Sequence, residues 1–464
     1  MQRIRVVTIC TSFLSVNHPK TLVKQLKNGK HLPFSEVLTK DDLSRHMKTM
    51  ACRNRIFTPE VTLWAFLSQV MDDDHSQQAA VARVLATAIA QGNKAPSANT
   101  SAYSQARSRL SEASLATLTR EVAKQIELNA PPEWLWNGKR VKLVDGSTLS
   151  MPDTLKNQEE YPQINSQKAG VGFPIARIVA VIDYSTGVVL DFAIGQYSGK
   201  QTGEHALLRQ LMSSFNSDDV MLGDCYYPSF FLMAKLIELG ISGVFPAHAS
   251  RKYDFRRGKR LGKKDHISGW KKPVKPIWME QIDYDLFAEE ILIREVEIEQ
   301  QRPGFRTTTR VLVTTFLDPV VVSKPNLAIL YGCRWFVELA FRSIKDTMHM
   351  DILRGKTPAM VRKEIWVHLL AYNLIRKIMA QAACLYETTT NTVSFKLALQ
   401  TIKAFQQAGL LNSDDPDVYL KLIESIMHKK IGNRSGRQEP RCVKRRQKPF
   451  ARLQKPRESY KNAA

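Results

Sequence analysis

Cysteine is scarce in this chain, and its arrangement excludes several kinds of site. The 464 residues include six cysteines, Cys10, Cys52, Cys225, Cys333, Cys384 and Cys442. They form no CxxC pair, and no histidine lies at metal-ligand spacing from any of them. This pattern argues against a zinc finger and against a secreted disulfide framework, and it favours a reducing cytoplasm.

Long hydrophobic runs are also missing. No apolar run approaches the ~18 residues that a membrane-spanning helix needs. The first residues carry two arginines before an apolar stretch, as a signal peptide does, but Thr and Ser interrupt that stretch and no small-x-small cleavage site follows. The sequence therefore disfavours both membrane insertion and export.

Acidic residues are few relative to basic ones, with 44 Asp and Glu against 67 Lys and Arg and a net charge of +23. Most of the excess lies in two segments, residues 251–276 and residues 429–464. Positive charge concentrated in this way indicates a polyanionic partner, most simply nucleic acid, and salt-sensitive binding. An anionic membrane surface is a rival partner, but neither segment has the apolar face of an interfacial helix.

The hydrophobic period changes along the chain and divides it into five segments. The order strand, hairpin, helix, strand, helix, strand after residue 131 predicts a mixed α/β domain whose three leading strands are antiparallel. Alternating patterns later in the chain, including one over Trp278–Tyr284, predict a β-rich insertion. The predicted organisation is a helical N-terminal domain (1–130), the first part of the mixed α/β domain (131–249), the insertion (250–323), the second part of the α/β domain (324–400), and a C-terminal helical region with a basic tail (401–464).

The segment Ser97–Leu110 predicts a helix that begins at a Ser/Asn/Thr cap. It would present Tyr103, Arg107 and Arg109 to a partner, as the second helix of a DNA-reading unit does. A plain helical bundle explains the same pattern equally well.

The stretch Tyr331–Lys345 has no Gly or Pro after Gly332 and predicts a helix. Tyr331, Arg334, Glu338 and Lys345 fall within roughly 60° of one another on a helical wheel, with Arg342 at the edge of the stripe. A carboxylate among groups that bind phosphate suggests phosphate chemistry. A polar helix face with i,i+4 charge pairs remains an equally good explanation of the spacing alone.

Two aspartates each follow a predicted strand, where α/β sheets gather functional groups: Asp145 and Asp224. If those strands are neighbours, the two carboxylates converge and Glu338 completes a trio. Three acids held together require a cation, and oxygen ligands without His or Cys favour Mg²⁺ or Mn²⁺. Two such ions could activate a water or a 3′-hydroxyl at a phosphodiester. Either aspartate taken singly is better explained as a turn or cap residue.

The spacing Tyr331-x2-Arg334-x3-Glu338-x6-Lys345 resembles the YREK signature of bacterial DDE transposases of the insertion sequence 4 family. The flanking sequences Asp145-Gly-Ser-Thr-Leu-Ser and Gly-Asp224-Cys-Tyr-Tyr look like the two aspartate regions of that family. The resemblance extends over nearly the whole chain.

This resemblance implies an RNase H-like catalytic domain interrupted by the insertion, and a helical N-terminal domain that binds terminal inverted repeats. It implies two Mg²⁺ or Mn²⁺ ions held by Asp145, Asp224 and Glu338, and a DNA end held by Tyr331, Arg334 and Lys345. The enzyme would act as a synaptic homodimer in the bacterial cytoplasm, associated with the nucleoid, cutting the element out and joining its 3′-hydroxyl ends to double-stranded target DNA.

Other interpretations stay open at this point. In some relatives a tryptophan of the insertion stacks on a flipped base; Trp270 and Trp278 are the residues that could do so here, although core packing explains them as well. His205 is interpreted as a cap or surface residue, since two-metal chemistry needs no histidine. The competing functions are a non-catalytic DNA-binding relative, such as a repressor or domesticated transposase, and a nuclease without strand transfer.

Overall fold

The computed structural model of the chain describes residues 45, 56–90, 92–93, 97–300, 308–410, 416–428, 454–456 and 459. The signal-like start, most of the basic tail and three of the cysteines, Cys10, Cys52 and Cys442, lie outside the described residues. Among the helices that are described, none has both the length and the apolar character needed to cross a bilayer.

The N-terminal part consists of four helices, and side-chain caps set the starts of at least two of them. They are α1 (Pro59–Met71), α2 (Gln77–Ala90), α3 (Ser101–Arg109) and α4 (Glu112–Leu128). The hydroxyls of Thr58 and Ser111 accept hydrogen bonds from backbone N–H groups in the first turns of α1 and α4. Apolar residues of α1 and α4 lie in the same hydrophobic core as the sheet described next.

A sheet carries the catalytic-domain sequence. Its first five strands are β1 (Val141–Ser150), β2 (Ile175–Asp183), β3 (Val189–Gln196), β4 (Val220–Leu222) and β5 (Ser242–Pro246), in the order β3-β2-β1-β4-β5. β1, β2 and β3 are antiparallel, whereas β4 and β5 run parallel to β1. This is the predicted mixed α/β, RNase H-like arrangement. The connecting helices are α5 (Leu155–Glu160), α6 (Glu204–Arg209) and α7 (Phe230–Glu238).

The insertion extends this sheet instead of forming a separate one. Its strands are β6 (Lys259–Gly262), β7 (Asp265–Lys271), β8 (Glu290–Gln300) and β9 (Thr308–Thr314), and β9 pairs antiparallel with β5. Within the described residues, the nine strands therefore form one sheet. The strand predicted over Trp278–Tyr284 is wrong: the chain there forms a loop and a short helix, α8 (Gln281–Asp285). A short run with weak alternation does not distinguish strand from helix without its tertiary partners.

The predicted helix over residues 331–345 is interrupted. α9 (Lys324–Gly332) ends near Gly332, a poor helix former, and α10 (Trp335–Arg342) follows after a tight turn with i to i+3 hydrogen bonds. A π-helical turn, Ser343–Thr347, continues α10. The remaining helices are α11 (Pro358–Leu385), α12 (Phe395–Gln407) and α13 (Pro416–Met427).

Candidate active site

The register of β1 and β4 brings the two aspartates to the same level. Leu143 pairs with Leu222 in parallel, so Asp145 and Asp224 each lie two residues further along neighbouring chains. β1 does not end at Asp145, as the sequence predicted, but runs to Ser150 because β2 continues to pair with it that far. β4 ends at Leu222, so Asp224 projects from the loop that follows.

Arg334 connects Glu338 to Asp145. α10 lies against β1, and Nη2 of Arg334 donates to Oε1 of Glu338 at 2.5 Å while Nη1 lies 3.5 Å from Oδ2 of Asp145. The three side chains are partly buried, with 22%, 36% and 20% of the Arg334, Glu338 and Asp145 side chains exposed. The guanidinium, predicted to hold DNA, thus lies between two of the predicted metal ligands.

The other residues of the Tyr331–Lys345 stripe have different surroundings. Nζ of Lys345 donates to Oγ of Ser147 at 3.1 Å and to the backbone oxygen of Thr148 at 3.0 Å, just beyond Asp145 on β1. Tyr331 is buried, and its hydroxyl accepts a hydrogen bond from Arg310 of β9 at 3.4 Å. Arg342 is exposed. Lys345 is therefore the member of the stripe whose charge adjoins the Asp145 strand.

Burial and neighbouring acids disfavour the ionised form of Asp145. Burial, as the main cause, raises the pKa of Asp145 to about 6; the charges of Asp224 and Glu204 act in the same direction, and the Gly146 N–H and Arg334 oppose them. A cation at this site would offset the repulsion, because it stabilises the charged form of each carboxylate.

The donor chemistry fits hard divalent ions. Asp145, Asp224 and Glu338 offer carboxylate oxygens without His or Cys, the set that Mg²⁺ and Mn²⁺ prefer. In the described part of the chain, no three acidic, His or Cys side chains are yet close enough together to hold one ion. Arg334 supplies positive charge to Asp145 and Glu338 in their present arrangement, so an ion bound by both acids would displace its guanidinium.

Sequence reasoning missed Glu204, the first residue of α6. Its Oε2 accepts a hydrogen bond from the Tyr227 hydroxyl at 3.1 Å, and burial and the charge of Asp224 raise its pKa. Its neighbour His205 drew attention in the sequence instead. Nε2 of His205 lies 2.8 Å from the backbone oxygen of Tyr226, so His205 packs on the loop that carries Asp224. The only sequence signal for Glu204 was an acid beside Gly203 at a helix start.

The prediction that Tyr103 and Arg107 face DNA is contradicted by their burial. Tyr103 is 0% exposed and Arg107 is 9% exposed. Both side chains donate to Oε1 of Gln69 at 2.9 Å, and the Arg107 guanidinium lies 4.7 Å from the centre of the Phe66 ring. Tyr103 and Arg107 therefore hold α3 against α1, and Arg109 is the exposed basic residue of α3.

The two tryptophans of the insertion differ in access. Trp270 is buried; its Nε1 donates to Oε1 of Glu295 at 2.9 Å, and the Arg251 guanidinium covers its ring at 3.4 Å. A base-stacking role for Trp270 is therefore at odds with the structure. Trp278 is 39% exposed, and the Arg209 guanidinium lies 4.0 Å from its ring centre. Part of its side chain is therefore accessible to a partner.

Comparison with known proteins places these features among transposases. The family model for the transposase DDE domain matches residues 136–374. Transposase InsG for insertion sequence element IS4 of Escherichia coli (strain K12) is 24% identical over 405 residues, which cover 86% of this chain and 88% of that protein. Putative transposase InsL for insertion sequence element IS186A of the same strain is 32% identical over 140 residues, 27% of this chain and 38% of that protein.

A solved structure is similar over much of the chain. The piggyBac transposase, in a synaptic complex with hairpin DNA, aligns with a TM-score of 0.42 and 11% identity, covering 89% of this chain and 82% of that one.

Proposed function

Because the chain belongs to the DDE transposases of the insertion sequence 4 family, we propose that it binds the terminal inverted repeats of an insertion sequence, cleaves at the element's ends and joins the freed 3′-hydroxyls to target DNA. The observation that carries this proposal is the register of β1 and β4, which sets Asp145 level with Asp224, beside the helix that bears Glu338.

Each site residue has a distinct task in this proposal. Asp145, Asp224 and Glu338 would hold two divalent ions, Mg²⁺ or Mn²⁺, which activate the attacking hydroxyl and stabilise the leaving oxygen. Arg334 releases the two acids and binds a phosphate of the DNA end through its planar guanidinium. Lys345, fixed to β1 by Ser147 and Thr148, adds a second positive charge near the same phosphate.

Contacts outside the site would supply most of the affinity for DNA. Residues 251–276 carry eleven Lys and Arg against two Asp, and many of these side chains, such as Lys259, Arg260 and Lys263, are exposed. Such a surface binds the phosphate backbone of double-stranded DNA irrespective of sequence. We propose that a homodimer of the chain pairs the two element ends in the cytoplasm.

Cleavage of the element's own ends tests this function. A duplex made from the DNA that borders the coding region is incubated with the full chain, with and without Mg²⁺, and nicked and joined products are resolved on a denaturing gel. Asp145→Asn and Glu338→Gln should lower cleavage by at least about 10³-fold, because each removes a negatively charged metal ligand. Asp283→Asn, an exposed acid on α8, is the matched control and should cleave normally.

The same gels distinguish the competing functions. Cleavage that persists in Asp145→Asn or Glu338→Gln would overturn the assignment of those residues. Binding of the duplex without Mg²⁺-dependent nicking would instead identify a DNA-binding repressor. Nicked ends that never join a supplied target plasmid would identify a nuclease without strand transfer.

A further inference from the structure

Glu204 extends from α6 toward β1, the strand that bears Asp145. Glu338, by contrast, belongs to a helix that comes much later in the chain. α6 follows β3 and lies against β2 and β3, and its first residue extends toward β1. A Cβ atom built on Gly146 would lie 2.4 Å from both Cδ and Oε1 of Glu204. Since Cβ atoms do not approach other atoms so closely, the carboxylate of Glu204 can lie against β1 only because residue 146 is glycine.

The carboxylate is fixed from the other side by the Asp224 loop. Tyr227, which is 0% exposed, donates its hydroxyl to Oε2 of Glu204 at 3.1 Å. No other donor among the described residues reaches this carboxylate. Glu204 thus lies between Gly146 and Tyr227, which are one and three residues from the two level aspartates, and keeps oxygen lone pairs free for a further partner.

The positive charge at the site is distributed unevenly. Arg334 pairs with Asp145 and Glu338. In the described part of the chain, no Lys or Arg forms an ion pair with Asp224 or Glu204. The charge of Arg177 partly opposes the rise in the pKa of Glu204, but Arg177 forms no ion pair with it. The side of the site with Asp224 and Glu204 therefore has less compensating charge than the side with Arg334.

We infer that Glu204 is a fourth carboxylate of the metal site, which binds a divalent cation together with Asp145 and Asp224. This inference rests on the proposed metal-dependent function. It also explains why residue 146 is glycine, because a side chain at that position would push the carboxylate of Glu204 away from Asp145. Tyr227 acts as a positioning residue, since its hydroxyl orients the carboxylate without contacting the ion.

Direct measurement of Mn²⁺ binding tests the inference without relying on catalysis. The full chain, free of DNA, is titrated with Mn²⁺, and free Mn²⁺ is followed by electron paramagnetic resonance. Glu204→Gln keeps the shape and the hydrogen bond from Tyr227 but removes the charge, and it should weaken binding by at least about tenfold. Glu238→Gln, the same change at an exposed site on α7, is the matched control and should bind as the unaltered protein does.

Two further variants help to distinguish a specific loss of Mn²⁺ binding from a loss of folding. Tyr227→Phe removes only the positioning hydrogen bond and should weaken Mn²⁺ binding less than Glu204→Gln does. Gly146→Ala retains every acid but displaces the carboxylate, so it should reproduce the loss seen in Glu204→Gln. Thermal melting of each variant without metal shows whether a loss of binding reflects unfolding, and if Glu204→Gln melts early, Gly146→Ala decides the outcome.

The possible results separate this inference from the proposed function. If Asp145→Asn loses Mn²⁺ while Glu204→Gln and Gly146→Ala bind it normally, Glu204 is a structural residue and the inference is wrong. If the unaltered protein binds no Mn²⁺, or Asp145→Asn binds it normally, the proposed metal site itself fails.

Discussion

Arg334 contacts the same two carboxylates that a metal ion would need, so guanidinium and ion compete. We expect Arg334→Gln to bind Mn²⁺ about threefold to tenfold more tightly than the unaltered protein in the absence of DNA, because both the competitor and a nearby positive charge are gone. Cleavage by the same variant should fall, since the DNA phosphate loses its guanidinium partner.

The same Mn²⁺ titration provides the check. Arg342→Gln removes a like charge two turns along the stripe from an exposed position that contacts neither acid, and it serves as the control. Weaker Mn²⁺ binding in Arg334→Gln would show that the guanidinium organises the acids instead of competing for them.

The residues of the site differ in how far sequence could reveal them. Asp145, Asp224 and Glu338 are visible as acids beside predicted strands and within a spaced motif, because their positions depend on local pattern. Glu204 depends on a contact with Gly146 across two strands, which no local pattern encodes. Tyr103 and Arg107 were predicted wrongly for the opposite reason. Polar groups on a short helix suggest a surface, but both side chains are buried and donate a hydrogen bond to Gln69.

At the scale of elements, three histidines meet where the N-terminal helices contact α11. The ring of His75, in the turn after α1, lies 5.9 Å from that of His349 and 5.5 Å from that of His368 on α11. The Nε2 atoms of His75 and His368 are buried without hydrogen-bond partners. Burial is the main cause that lowers the pKa of His75 to about 4 and that of His368 to about 3.

Stability should therefore decline in mild acid. The unfolded chain binds protons at these histidines below pH 6.5, whereas the folded chain excludes them until about pH 4 or lower, so the free energy of unfolding falls as the pH drops through this window. At pH 5 the loss is on the order of 2 kcal/mol for each histidine. Urea unfolding between pH 7 and pH 5 measures it.

A double variant, His75→Phe with His368→Leu, supplies the control for this pH dependence. Its unfolding free energy should vary less with pH over the same range, even if it is lower overall. An equally steep pH dependence in the double variant would place the responsible groups elsewhere.

Element boundaries were predictable where periodicity and caps agree. The pattern over Pro59–Met71 predicts a helix with the bounds of α1, and the patterns over Asp219–Leu222, Gly243–Pro246 and Glu290–Glu299 predict β4, β5 and β8 to within a residue or so. Other bounds differ from what the sequence predicts. β1 extends past Asp145 along β2, the amphipathic pattern over Glu204–Phe215 predicts a helix that in the structure stops at Arg209, and residues 331–345 divide after Gly332. The extension of β1 depends on its pairing with β2, whereas the break near residue 332 coincides with a glycine, a poor helix former.

At the scale of the whole molecule, one buried lysine ties the N-terminal helices to the sheet. Lys142 of β1 is 0% exposed, and its Nζ lies 3.1 Å from Oε1 of Glu127 on α4 and 2.6 Å from Oδ2 of Asp219 beside β4. Lys142→Met should lower the free energy of unfolding by about 3–5 kcal/mol, because it leaves the buried carboxylate of Asp219 without its cation and that of Glu127 with only the partly exposed Lys124.

Chemical denaturation followed by far-ultraviolet circular dichroism measures this effect. Lys139→Met is the matched control, because it breaks an ion pair with Asp218 whose carboxylate is 84% exposed. That change should cost no more than about 1 kcal/mol. Equal losses in the two variants would mean that the buried pair does not join the helices to the sheet.

The antiparallel direction of the first three strands was predictable from the strand and hairpin patterns, and the family resemblance implied an RNase H-like domain around them. The continuation of the sheet into the insertion was not predictable, since pairing of β5 with β9 joins residues that lie far apart in the chain.

Because β5 and β9 are paired, the distance between the two ends of the insertion does not depend on how many residues the insertion contains. The insertion begins after β5 and ends with β9, and these two strands are hydrogen-bonded partners, with Val244 opposite Thr314. Residues could be added to or removed from the excursion between them without moving its two ends apart. A change in the length of this excursion would therefore leave the distance between Asp224 and Glu338 unchanged.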